Sequence, residues 1–338
     1  MLGARLASCK YGWQNTYCSL GQRRCAALKL QLLVGAKVLL NTEASSGEWR
    51  ATQGPYALDG PHYPNRSLFD GVRYDQELDQ PDWAAANCSV TGWGAARRVV
   101  PPWEAAGFAT QLELHTMPPV AASPAAGRPP ASVRSVGADA FLFDFGENLA
   151  GFVTVSVPQT PILAPASELR VEVEHAELLT GAGGRIFNQF ASPPHSPSGC
   201  AHYGSCALQT DTYRLSDLSR GVLLSPGTLT YKGFRYVEVR GLPNVSSSAV
   251  RAFSVASDVR PTASFHSNHS LLNKINAAIG ATVLANLVSI PTDCPTREKR
   301  GWMGDAQWSA EDNAARWDMR LLYRNWVGSM AGNVGEVD

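Results

Sequence analysis

Long apolar runs are missing from this sequence. No segment approaches the roughly 18 consecutive apolar residues that a membrane-spanning helix needs, so a helical membrane protein is not expected. Charge of one sign is missing too. The 29 Lys and Arg balance 29 Asp and Glu, giving a formal net charge of zero. With no basic run and no nucleic-acid-binding motif, nucleic acid is not expected as a partner. Cysteine is scarce: there are seven, an odd number, and none forms a Cys-x-x-Cys pair. That pattern argues against a zinc site and against a fully paired disulfide framework. Cys200 and Cys206 flank a short Gly/Ser loop and either bridge or stay as free thiols. Residues 1–20 lack an apolar core followed by a small-residue cleavage site, so no signal peptide is read there. Four Asn-x-Ser sequons, at Asn65, Asn87, Asn244 and Asn268, permit glycosylation if the chain is secreted. The compartment stays open between secreted and cytoplasmic.

What is present is ordinary globular material: 44% hydrophobic and 17% charged residues over 338 positions. The length suits two or three domains. Residues 28–40 begin with strict alternation and pass through Gly35, which reads as strand, turn, strand. Residues 45–80 are turn-rich and carry Trp49, Tyr56, Tyr63, Phe69 and Tyr74, the pattern of a small β-domain with long loops. The stretch from Pro118 to Ser132 has no periodicity and reads as a linker or exposed loop. Beyond it, Ala140–Phe145, Phe152–Val157, Leu169–Glu174 and Leu229–Val239 alternate or enrich β-branched and aromatic types. Short strands broken by turn signals predict a second sandwich. Residues 192–205, rich in Pro, Ser, Gly and His, read as a loop. Its histidines, His195 and His202, have no further ligand cluster nearby, so no metal is assigned.

From Ser270 the period changes. Leu272, Ile275, Ile279 and Val283 fall on one face of a helix, with Ser270 as its N-cap. A second helix is predicted from about Ala306 to Met330, with Ala310, Ala314, Trp317 and Leu321 in step. Between these helices lies Pro291-Thr-Asp-Cys-Pro-Thr-Arg-Glu-Lys-Arg-Gly-Trp-Met-Gly-Asp305. Asp293, Glu298 and Asp305 stand five and seven residues apart, punctuated by Pro295, Gly301 and Gly304. That punctuation predicts a held, irregular loop joining an αα-hairpin. A solvated charged loop has little use for Cys294, Pro295 and Trp302, and polar loops fixed on a scaffold are where sites concentrate.

Asp293-Cys-Pro, Arg297-Glu298 and Gly301-Trp-Met-Gly-Asp-Ala-Gln307 together resemble the signature of the α-L-rhamnosidases of glycoside hydrolase family 78. Asp144-Phe-Gly-Glu-Asn-Leu-Ala-Gly-Phe-Val-Thr-Val155, His175-Ala-Glu-Leu-Leu179, Asp211-Thr-Tyr-Arg-Leu215 and Tyr231-Lys-Gly-Phe-Arg-Tyr-Val-Glu-Val239 are similar to the domain that precedes the family's catalytic barrel. Gly47-Glu-Trp-Arg-Ala-Thr-Gln-Gly-Pro55, Phe69–Asp75 and Asp82-Trp83 resemble its N-terminal sandwich. The resemblance runs over residues 30–331 and reaches only the beginning of the catalytic domain. It implies a multidomain chain: two β-sandwich domains, 1–117 and 118–258, then the first helical hairpin of an (α/α)6 barrel, 259–338.

Glycoside hydrolysis needs a proton donor for the leaving oxygen and a second carboxylate across the sugar. The donor must keep its proton near the working pH. Around Glu298, Asp293 and Asp305 would raise the carboxyl pKa, whereas Arg297, Lys299 and Arg300 would lower it; the sequence leaves open which set faces it. The resemblance implies more. Glu298 stands where the family keeps its general acid, and Asp293 and Asp305 where carboxylates bind the rhamnose hydroxyls. Trp302 falls on the tryptophan at the sugar's apolar face, which suits a methyl-bearing sugar. Arg297 is expected to anchor the loop rather than touch substrate. The family inverts configuration, with carboxyls about 6.5 to 9.5 Å apart. No position here matches its general base, so this chain is expected not to turn over by itself. No cofactor is implied, and the implied partner is a rhamnosylated glycoside or polysaccharide. Two other readings remain: a rhamnose-binding sandwich protein without catalysis, and a structural remnant with no ligand.

Overall fold

A computed structural model describes residues 31–34, 37–41, 49–59, 70–85, 87–95, 117–159, 169–181, 184–187, 207–227 and 230–334. The loop read at 192–205, with His195, Cys200 and His202, lies outside the described residues, as do Cys206, residues 1–20 and the Asn65 sequon. The predicted strand–turn–strand near the start is an antiparallel pair, Gln31–Val34 with Lys37–Asn41.

The dominant element is a ten-stranded sheet. In chain order its strands are β1 (Tyr56–Asp59), β2 (Gly71–Asp75), β3 (Val120–Arg128), β4 (Ser132–Gly137), β5 (Ala140–Val157), β6 (Leu169–Ala176), β7 (Thr210–Leu215), β8 (Val222–Leu224), β9 (Lys232–Arg240) and β10 (Val250–Ser257). They pair in the order β1-β2-β7-β6-β9-β5-β10-β3, with β4 and β8 also on β5. All these pairs are antiparallel except β2 with β7.

Strand β5 organises the domain. The sequence predicts two strands, Ala140–Phe145 and Phe152–Val157, and the structure runs them together over 18 residues. Its first part pairs with β4 and β9, its last part with β10 and β8. Between the two parts Gly146 has φ +82°, a left-handed conformation that suits glycine. One core takes Phe143 and Phe145 from the first part, and Val153, Val155 and Val157 from the second. Val171, Val173, Tyr213, Phe234, Val237 and Val250 complete its centre. Burying each such side chain contributes about 1.5 to 3 kcal/mol.

Two departures from expectation lie at the sheet edges. The stretch Pro118–Ser132, read as a linker, contains edge strand β3 on β10. Its residues Val120–Ala126 are exposed, so main-chain pairing makes the strand and no apolar periodicity announces it. Pro124 is compatible with an edge, where an unpaired side of the strand needs no donor. At the other edge, β1 and β2 come from the segment read as the first sandwich, yet they extend this sheet through β7. Tyr56, Tyr74 and Tyr213 pack there with ring centroids 5.1 and 6.1 Å apart.

Polar groups are buried beside β9. Asp211 accepts the Val72 amide at 2.8 Å and sits 3.5 Å from the Lys232 ammonium, which donates to the Asp70 carbonyl at 3.2 Å. His175 shares a hydrogen bond with the Gln209 carbonyl at 3.0 Å, and burial pushes its pKa down to about 4. The Gln209 amide donates in turn to the Gly233 carbonyl at 2.7 Å.

After β10 come α1 (Ser270–Ala285), α2 (Met303–Arg316) and α3 (Arg320–Val334). His269, not Ser270, occupies the N-cap of α1, and Ser270 is already helical. The single second helix of the prediction is two. The chain breaks at Trp317, which bridges to Pro261, and Asp318 is clamped by Arg260 and Arg320. Those arginines hold the Asp318 carboxyl below its usual range, Arg320 foremost. Arg316, the last residue of α2, reaches the Asn276 carbonyl of α1 at 3.5 Å. A small core of Val259, Leu287, Trp317, Met319 and Leu322 lies at their base.

Candidate active site

The charged loop leaves α1 through a tight pair, Leu287–Val288 with Ile290–Pro291. Ser289 sits between them at φ +69°, and its amide donates to the Ser257 hydroxyl. Thr292 then returns to the end of α1 through the Asn286 carbonyl, at 2.8 Å from its amide. Asp293 closes the loop on itself. Its amide donates to the Arg300 carbonyl at 3.0 Å, and its carboxylate accepts the Arg300 amide at 2.8 Å. Inside that ring the Glu298 amide donates to the Cys294 sulfur at 3.1 Å. Burial raises the Cys294 pKa and keeps it a thiol, a structural acceptor rather than a nucleophile.

The turn from Pro295 to Lys299 docks on the β-domain. A Cβ added at Gly233 would stand 2.2 Å from the Thr296 hydroxyl and 2.9 Å from the Pro295 ring, so the approach requires glycine. Thr296 donates to Glu177 at 3.3 Å, and Glu177 is held by Asn148 at 2.7 Å. Lys299 is 1% exposed and adopts φ +49°. Its ammonium donates to the Tyr231 carbonyl at 2.6 Å and lies 4.4 Å above that residue's ring. A desolvated cation over an aromatic face is worth about 2 kcal/mol.

The outer side of the turn carries the other groups. Glu298 is half-buried and accepts the Trp302 indole N–H at 2.8 Å. Trp302 is 47% exposed and sits at the N-cap of α2. Asp305 lies in the first turn of that helix, where its charge opposes the helix dipole favourably. A groove of about 500 Å³ runs between Thr282–Leu287 of the α1 end, Pro291–Asp293, and Gly304–Asn313 of α2. Asp293 and Asp305 both line it; Glu298, Arg297 and Trp302 stand on the adjoining turn. Arg297 is half-buried on the same turn. Of the cations named beside Glu298, Lys299 is turned away into the β-domain. The sequence reading missed the partners Glu177, Tyr231 and Gly233, although Tyr231-Lys-Gly-Phe was conspicuous as a motif.

The comparisons with known proteins agree with one another. Residues 134–256 match the bacterial α-L-rhamnosidase concanavalin-like domain, and residues 260–336 the bacterial α-L-rhamnosidase six-hairpin glycosidase domain. An α-L-rhamnosidase of Formosa agariphila is 27% identical over 284 residues, 84% of this chain and 26% of that protein. The structure of α-L-rhamnosidase from Dictyoglumus thermophilum is similar with a TM-score of 0.68 and 30% identity, over 83% of this chain and 28% of the other. The Streptomyces avermitilis α-L-rhamnosidase complexed with L-rhamnose gives 0.66 and 26%, over 83% and 24%. The chain thus spans about a quarter of the length of the curated relatives it matches. A sandwich with the right motifs, leading into helices joined by an Asp-Cys-Pro…Gly-Trp-x-Gly-Asp loop, places it: the chain belongs to the α-L-rhamnosidases of glycoside hydrolase family 78.

Proposed function

We propose that this chain carries the proton-donating and sugar-binding side of an inverting α-L-rhamnosidase site that releases terminal non-reducing rhamnose from glycosides or polysaccharides. Glu298 is the general acid. Asp293 and Asp305, which share the groove, bind the rhamnose hydroxyls, and Trp302 covers the apolar face of the sugar around its methyl group. Arg297 holds the turn. The observation that carries the reading is the 2.8 Å bond from the Trp302 indole to the Glu298 carboxylate, beside a groove lined by two further carboxylates. An acid fixed by an aromatic that itself meets the sugar is oriented toward the glycosidic oxygen. The domain limits at 117/118, with β1 and β2 reaching across into the sheet of the second domain, and at 258/259 belong to the same proposal.

Inversion needs a base about 6.5 to 9.5 Å away across the sugar. No residue of this chain is assigned to it, so the chain alone binds rhamnose without hydrolysing rhamnosides. Calorimetric titration with L-rhamnose tests the binding half: Trp302→Ala weakens it, and an unchanged dissociation constant removes Trp302 from the pocket. In a form of the protein that turns over rhamnosides, Glu298→Gln lowers hydrolysis of poor-leaving-group substrates by about 10²- to 10⁴-fold and spares binding. Near-normal turnover on those substrates would remove Glu298 from the acid role.

A further inference from the structure

The acid's own neighbour faces the opposite way. Glu298 presents its carboxylate to Trp302 on the open side, while Lys299 is 1% exposed and drives its ammonium into the β-domain. Lys299 itself adopts φ +49°, a left-handed conformation that is uncommon for a residue other than glycine. Four contacts hold the turn in place here. The ammonium meets the Tyr231 carbonyl at 2.6 Å and the Tyr231 ring at 4.4 Å, Thr296 meets Glu177, and Pro295 fills the space left by the missing Cβ of Gly233.

We propose that Lys299 is a positioning residue for Glu298, and that the β-domain, through Tyr231 and Gly233, sets the orientation of the acid. This inference rests on the reading of Glu298 as the acid, and it adds a role for the preceding domain in the chemistry. Binding elements on loops lose effectiveness with shifts near 1 Å, so a rigid strand behind the turn supplies what the helices alone do not. The gain is orientational: with the ammonium anchored, the backbone between Cys294 and Arg300 has one conformation, and Glu298 meets the Trp302 indole.

The test uses the indole N–H of Trp302 as reporter, in the chain labelled with ¹⁵N-tryptophan and assigned with Trp302→Phe. In the wild type, Glu298→Gln shifts that resonance, because the indole donates to the carboxylate. In a Lys299→Met background, folded by circular dichroism, the same Glu298→Gln change leaves it unmoved, because the bond is already lost. A Trp302 resonance that responds to Glu298→Gln equally in both backgrounds overturns the proposal. If Lys299→Met does not fold, Gly233→Ala takes its place, since its added Cβ meets the Thr296 hydroxyl and the Pro295 ring and displaces the turn from the sheet; loss of the Glu298-dependent shift supports the proposal and a full shift overturns it. Addition of L-rhamnose is read separately. A Trp302 resonance that ignores the sugar defeats the functional reading and leaves the positioning result intact.

Discussion

The β-domain and the helices use apolar residues in opposite ways. In the sheet, Phe143, Phe234, Val237 and Val250 are fully buried, and one core joins both parts of β5. Helix α1 buries none of its residues; Leu272, Ile275 and Ile279 are 46, 47 and 42% exposed. Only Val283 and Leu284, at its end, pack against the small core at its base. Trp308 of α2 is 90% exposed. The contrast separates two meanings of amphipathic pattern. A period tells which residues share a face; only packing tells whether that face is covered. Stability in this chain therefore resides mainly in the sheet, and the site loop borrows it by docking there.

The contrast can be broken most directly by truncating one residue on each side. Phe234→Ala, in the sheet core, is expected to cost about 3 to 5 kcal/mol in denaturant unfolding. Ile279→Ala on α1 should cost under about 1 kcal/mol, and equal costs would mean that the two regions share one cooperative core. Acid sharpens the same point. His175 is neutral in the fold with its pKa near 4, against 6.5 in its absence. Between those values the unfolded chain binds a proton that the folded chain refuses, so stability rises with pH there and is lost as pH falls. The total is about 3 kcal/mol, set by burial, with the Asp211 and Lys232 charges acting in opposite directions. His175→Gln should flatten that part of the pH–stability curve; an unchanged slope would assign the acid sensitivity elsewhere.

A smaller effect is expected where the loop meets the sheet. Thr296→Val removes the donor to Glu177 while keeping the shape, and should cost about 1 kcal/mol. Its amide-exchange signature matters more than its size: protection should fall at Glu298 and Arg300, whose amides close the loop, before it falls in β9. Trp302→Ala should change stability least, within about 0.5 kcal/mol, because the ring is half exposed. A large loss there would make Trp302 a packing residue first.

Legibility followed the range of the forces. The strands of the second domain were readable because Val153, Val155 and Val157 alternate with Phe152, Thr154 and Ser156, and alternation is imposed by the pleat itself. Edge strand β3 was not readable, since its pairing with β10 arises from main-chain groups and leaves Val120–Ala126 exposed. The break between α2 and α3 escaped for a similar reason. Trp317 fits a helical period, and its departure from the helix is drawn by Pro261 and Arg260, far away in sequence.

The site divides in the same way. The order of Asp293, Glu298, Trp302 and Asp305, and the Pro and Gly that keep them out of a helix, are local properties of the chain, so the sequence determined that a held acidic loop exists and which residues compose it. Which side of that loop turns inward depended on groups the loop does not contain. The Tyr231 carbonyl lies 68 residues before Lys299, and Glu177 lies 119 residues before Thr296. Only the folded sheet brings them to the turn. The burial of the lysine, with the half-buried glutamate left on the opposite side, is thus decided by tertiary contact, because a cation is removed from water only where a fixed carbonyl and ring already wait for it.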